Sequence, residues 1–124
     1  MYLPDANVFI KALYGVEPDA SFLRKAIEKK RLYISVVSTA EFFAKTAKKE
    51  KEKFERLLVR FPNLPIDLEI ARLAAEYRTQ FSRKTKRIFL LDCFLAAQAK
   101  VHHLTLVTNN RSDFPMKDIK VILP

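Results

Sequence analysis

Most of the 14 acidic residues of this 124-residue chain sit among lysines and arginines, but three stand among apolar neighbours: Asp5 in LPDANVFI, Glu41 in VVSTAEFF and Asp92 in FLLDCFLAA. A fourth, Asp113 in TNNRSDF, follows the apolar run LTLVT. A desolvated carboxylate is unfavourable by several kcal/mol unless something pairs with it. Carboxylates that converge also raise one another's pKa values and take up protons. A divalent cation removes that conflict. Carboxylate oxygens are hard ligands suited to Mg²⁺ or Mn²⁺, and Mg²⁺ typically keeps waters and completes its shell with one or two carboxylates and a phosphate. The chemistry such a set supports is that of a divalent-metal site with room for a phosphate in its shell.

Each acid also has a purely structural reading. Ser38-Thr39-Ala40-Glu41 fits a capping box, in which Glu41 returns a hydrogen bond to a helix start. Asp92 and Asp5 can each be an N-cap, and Asp113 an ordinary loop acid. What favours the metal reading is their joint placement, each just past a predicted strand or at the head of a late helix.

Other chemistries find little support. His102 and His103 fall where a predicted helix gives way to a strand, as surface or hinge residues, and the single Gly15 leaves no glycine-rich phosphate loop. Cys93, alone and flanked by Phe94, Leu95 and Ala96, reads as a small core residue. The net charge of +9 is concentrated. Residues 45–60 carry a net +4 with glutamates interleaved, as on a solvated helix face, whereas residues 78–87 carry +5 and no acid. The acid-free RKTKR run, with Arg83, Lys84, Lys86 and Arg87, reads as a phosphate-backbone contact.

The elements that must bring the acids together alternate along the chain. Strands are expected at 2–4, 32–36, 64–66, 104–108 and 120–123, and helices at 7–14, from Asp19, from Ser38, through Phe54–Phe61, from Asp67 to Phe81, and from Asp92 to Val101. Strands separated by helices give right-handed crossovers and a parallel sheet, with ligands past its carboxyl edge. The length suits one domain spanning 1–124. The start, MYLPD, lacks a basic leader region, and the longest apolar run is about half of the ~20 residues a membrane span needs, so a cytoplasmic protein with no membrane association is expected.

These residues together resemble the PIN-domain family, and within it the small VapC-type toxins. The resemblance covers nearly the whole chain. It rests on Asp5-x-Asn7-Val8, Ser38-x-x-Glu41, Leu64-Pro65-Ile66 before a helix with Ala71, Asp92 with Ala96-Ala97-x-Ala99, and Thr108-x-Asn110-x-x-Asp113-Phe114. It implies a three-layer α/β/α sandwich with a mostly parallel sheet of four to five strands. It also implies an endoribonuclease dependent on Mg²⁺ or Mn²⁺ that acts on RNA, forms a homodimer and is held inactive by a VapB-type antitoxin. By position, Asp5, Glu41, Asp92 and Asp113 would be the catalytic metal ligands, with Asn7, Ser38, Thr108 and Asn110 as polar support. Ala6 departs from the Thr common after the first Asp, and Asn109 stands where Arg is frequent, leaving Arg111 as a substitute phosphate contact. The rival readings are a nucleic-acid-binding PIN module without catalysis and a PIN nuclease of ribosomal RNA processing.

Overall fold

The computed structural model describes residues 1–82 and 87–124. Strands β1 (Tyr2–Pro4), β4 (Thr105–Val107) and β5 (Lys120–Ile122) form one sheet in the order β1-β4-β5, and β2 (Ile34–Ser35) pairs with β3 (Asn63–Leu64). Every pairing is parallel. A bridge between Tyr2 and Leu32 joins the two sheets, with Tyr33 donating its N–H to the Tyr2 carbonyl at 2.9 Å. The five strands thus run β3-β2-β1-β4-β5 with all their carboxyl ends on one edge.

Six α-helices cover the strands: α1 (Ala6–Leu13), α2 (Asp19–Glu28), α3 (Val36–Lys45), α4 (Lys48–Arg60), α5 (Leu68–Phe81) and α6 (Leu90–Val101). Two apolar cores flank the sheet. One joins Leu3 of β1 and Leu106 of β4 to Ile70, Ala74 and Tyr77 of α5 and to Leu95, Ala96 and Ala99 of α6. The other gathers Phe9, Leu23, Phe42, Phe54 and Leu57 from α1 to α4 around Leu32 and Ile34. In this second core Phe54 stacks against Phe42 and Phe9, with ring centroids 4.2 and 5.1 Å away. Offset aromatic contacts of this kind add to simple area burial. Period-two alternation sends Leu32 and Ile34 to one side of the sheet and Tyr33 to the other, which is why both faces carry helices.

Several boundaries differ from the expectations above. The second strand is shorter, because Ser35 accepts a hydrogen bond from the Val37 N–H at 3.1 Å and starts α3 there. Ser38 therefore lies inside the helix and no capping box forms. The third strand is Asn63–Leu64 rather than 64–66. Asp67 caps α5 as expected, accepting from the Ile70 N–H at 2.9 Å. Asp19 does not cap α2; it is the first residue of that helix and Pro18 holds the cap position. Asp92 sits in the first turn of α6, with Phe89 as N-cap. Between α1 and α2 the chain reverses at Gly15, whose φ of 80° a residue with a Cβ adopts only with strain. Among the described residues no helix is long and apolar enough to cross a membrane.

Candidate functional site

Four carboxylates approach one another at the carboxyl edge of the sheet. Asp5 follows β1 and is the N-cap of α1: its Oδ1 accepts from the Asn7 and Val8 N–H groups at 3.0 and 3.3 Å. Its Oδ2 accepts from the Thr108 hydroxyl at 2.6 Å, just past β4. The capping and site readings of Asp5 are thus compatible, since the cap bonds fix one oxygen and orient the other. Glu41 is presented by α3, which is pinned to β1 where the buried Ser38 hydroxyl donates to the Pro4 carbonyl at 3.1 Å. One helical turn later Glu41 comes onto the same face.

Asp92 enters from the first turn of α6, and Asp113 closes a short 3₁₀ turn, Arg111–Asp113, beyond β4. The Asn110 side chain donates to Asp113 Oδ2 at 2.9 Å, and its N–H donates to the Thr108 hydroxyl oxygen at 3.1 Å. Asn7 stands at the exposed entrance to α1 and contributes its backbone N–H to Asp5.

The electrostatics show that these groups act on one another. Asp92 is pushed up to about 7, first by burial and then by the charges of Asp113, Asp5 and Glu41. Asp5 is also raised, chiefly by burial, against the opposing pull of Thr108 and the Val8 and Asn7 N–H groups, with the charge of Asp113 adding to the rise. Four acids 36, 51 and 21 residues apart in sequence therefore share one electrostatic environment. Opposed carboxylates with raised pKa values form a set that protons or a cation must neutralise. Hard oxygen donors of this kind fit Mg²⁺ or Mn²⁺ in chemical type. Among the described residues no group of three His, Cys, Asp or Glu side chains is arranged to hold an ion as it stands. Both oxygens of Asp5 accept hydrogen bonds, which fixes the carboxylate while leaving lone-pair capacity for a cation.

The remaining candidates are distributed differently. Arg87 and Arg111 are exposed, five residues before Asp92 and two before Asp113. Arg83, Lys84 and Lys86 lie outside the described residues. Cys93 is fully buried, and burial together with the charge of Asp92 pushes its thiol up to about 11, as suits a core residue rather than a nucleophile. His102 and His103 are exposed at the far end of α6, about 15 Å along the helix from Asp92 at 1.5 Å per residue.

Two buried polar residues have partners that the sequence reading did not foresee. Asp19 is 1% exposed and accepts from the Asn109 side chain at 2.7 Å. Gln98, fully buried on α6, donates to the Leu64 and Pro65 carbonyls at 3.0 and 3.1 Å and so ties that helix to the end of β3. Nothing local in PDASF or AAQAK signals either contact, because both partners lie far away in sequence.

Comparison with known proteins agrees with this architecture. Residues 2–120 match the family model for the PIN domain. Ribonuclease VapC10 of Mycobacterium tuberculosis is 39% identical over 116 residues, 94% of this chain and 87% of that protein. Among solved structures, a toxin–antitoxin complex from Klebsiella pneumoniae superposes with a TM-score of 0.75 at 25% identity, covering 98% of this chain and 96% of the other. VapBC2 from Rickettsia felis, bound to a DNA fragment from its promoter, superposes with a TM-score of 0.79 at 23% identity over 99% and 98% of the two chains. Matched by that family model over residues 2–120 and 39% identical to ribonuclease VapC10 over 94% of its own length, this chain belongs to the PIN-domain family.

Proposed function

We propose that this protein is a metal-dependent endoribonuclease and the toxin member of a toxin–antitoxin pair. The observation that carries the reading is the mutual influence of Asp5, Glu41, Asp92 and Asp113 across the strand edge. The 39% identity to a ribonuclease over almost the full chain supports the activity, and the likeness to a toxin–antitoxin complex supports an antitoxin partner.

Mg²⁺ or Mn²⁺ held by these carboxylates would polarise the scissile phosphodiester and lower the pKa of an attacking water. The chain's own part is to hold the carboxylates ready. Thr108 and the first N–H groups of α1 fix the rotamer of Asp5, Asn110 fixes Asp113, and Ser38 anchors the helix that carries Glu41. Burial and the neighbouring carboxylates push Asp92 up to about 7, so a cation held there would favour its ionised form. No side chain is needed as nucleophile, consistent with the burial of Cys93 and the remoteness of both histidines. Arg87 and Arg111, together with the basic run that precedes Arg87, contact the RNA backbone.

The test is cleavage of labelled RNA and DNA in the presence of Mg²⁺, Mn²⁺ or chelator by the wild type, Asp5→Asn and Asp92→Asn. RNA cleavage that needs the metal and falls by at least about 10²-fold in both variants supports the proposal, since groups that merely orient a ligand are worth 10–100-fold. Equal cleavage by all three proteins overturns the site. DNA cut in preference to RNA overturns the substrate.

A further inference from the structure

Directly after β4, three consecutive residues each donate a side-chain hydrogen bond to a different carboxylate. Thr108 donates to Asp5 at 2.6 Å, Asn109 to Asp19 at 2.7 Å, and Asn110 to Asp113 at 2.9 Å. Asp5 and Asp113 belong to the acidic cluster. Asp19 does not, since the charges acting on Asp92 are those of Asp113, Asp5 and Glu41. It is nonetheless almost completely buried, it caps no helix, and among the described residues no Lys, Arg or His stands within ion-pairing distance of it.

We propose that Asp19 is a positioning residue for the cluster: acting through Asn109, it clamps the 108–110 run in the orientation that lets Thr108 hold Asp5 and Asn110 hold Asp113. The proposal rests on the reading of the cluster as a metal site.

The last sheet contact of this segment is the Thr108 N–H, which donates to the Ile122 carbonyl at 3.0 Å. Beyond it, among the described residues, Asn109 makes no backbone hydrogen bond, and its side chain is the point at which the chain is tied down. Asn109 itself is exposed, so an amide released from Asp19 would bond to water and free the turn, which the Asn110 N–H closes on the Thr108 hydroxyl oxygen at 3.1 Å, to rotate relative to α2. Any such rotation reaches Thr108 and Asn110 first, because both are covalent neighbours. The anchor is firm at its other end, where α2 packs on α1, the helix that Asp5 caps. The clamp thus fastens the Asp113 loop to the same helical pair that carries Asp5. A buried carboxylate held by one neutral amide is poor value as a stability element, since an apolar residue avoids the desolvation altogether. That imbalance favours a role in geometry.

The experiment uses the full chain without RNA and measures Mn²⁺ binding by calorimetry beside the metal-free Tm, for wild type, Asn109→Ala and the exchange Asp19→Asn/Asn109→Asp. The exchange returns a donor and an acceptor to the same two positions in reverse. Asn109→Ala is expected to weaken Mn²⁺ binding about tenfold and, because it leaves the Asp19 carboxylate buried without its partner, to lower the metal-free Tm as well, and the exchange to recover most of both losses. Asn109→Ser serves as a second truncation, and because position 109 is exposed both single variants are expected to fold. Unchanged Mn²⁺ affinity in both truncations, with or without a fall in Tm, overturns the positioning role and leaves the metal site standing. Failure of the wild type to bind Mn²⁺ removes the metal site, and the positioning role with it.

Discussion

Thr108 donates its hydroxyl to Asp5 at 2.6 Å across a separation of 103 residues, adding a side-chain tie to the backbone bond from the Asp5 N–H to the Val107 carbonyl at the ends of two adjacent parallel strands. The side-chain bond draws the pKa of Asp5 down against the burial that raises it. Thr108→Val keeps the shape but removes the donor, so Asp5 becomes harder to ionise. We expect metal affinity and RNA cleavage to fall about 10- to 100-fold, with a stability loss of about 1–2 kcal/mol from the unpaired buried oxygen. Thr108→Ser should retain most of both. Calorimetric titration of Mn²⁺ together with denaturant unfolding measures the two effects separately.

The pH dependence of metal-free stability follows from Asp92 and Asp5, whose folded pKa values are both raised. Between the unfolded value for Asp, about 3.9, and the folded value of Asp92, about 7, the native state binds more protons than the unfolded state. These groups therefore contribute stability that is full below about pH 4 and lost as pH rises to about 7. A cation competes with those protons, so its stabilising effect runs the other way. Thermal melts with and without Mg²⁺ should show a metal-induced rise in Tm that is small near pH 5 and larger near pH 8. An increment independent of pH would contradict the ionisation of these acids on binding.

The order of elements was legible because each depends on local signals. Asp67 three residues before Ile70, with apolar residues at 70, 73, 77 and 81, specified α5 from its cap to its last turn. The start of α3 was misplaced by three residues because two serines, Ser35 and Ser38, compete for the cap. The strand geometry that favours Ser35 comes from pairing with β3, which is not local information. Asp19 misled for the same reason. Following a proline and preceding an amphipathic stretch it reads as a cap, and only folding reveals Asn109, 90 residues away, as its partner. Asp5, Glu41 and Asp92 stood out in the sequence through their apolar neighbours, and burial is the largest cause of the raised pKa values of Asp5 and Asp92, whereas Asp113 was singled out by its place after a strand. Their hydrogen-bonding supports were named by resemblance, and the bonds themselves are properties of the fold.

Arg87 and Arg111 offer a test of how RNA is held, because both are exposed and close in sequence to Asp92 and Asp113. A contact to phosphate weakens binding alike for all sequences and contributes about 0.7 to the slope of log K against log salt for a single strand. Arg111→Ala and Arg87→Ala should each lower RNA affinity and flatten that slope by about this amount, while Mn²⁺ affinity stays at the wild-type level. A change in which RNA sequence is preferred would instead assign the residue to base recognition.

A homodimer, which the resemblance implies, would have little phenylalanine left to cover. Of the ten Phe residues, nine are buried or partly buried within one chain, and Phe89 alone is exposed. Three of the exposed apolar residues are consecutive: Phe89, Leu90 and Leu91, 64%, 39% and 46% exposed at the head of α6. Three adjacent apolar residues left in water favour burial against another surface, and a second copy meeting them would bring two acidic clusters close together. We expect light scattering to give a dimer at micromolar concentration for the wild type and a monomer for Leu91→Arg, whose side chain places an unpaired charge at the centre of the run. A wild type that stays monomeric, or a Leu91→Arg variant that dimerises as tightly as the parent, would assign this apolar run to another partner.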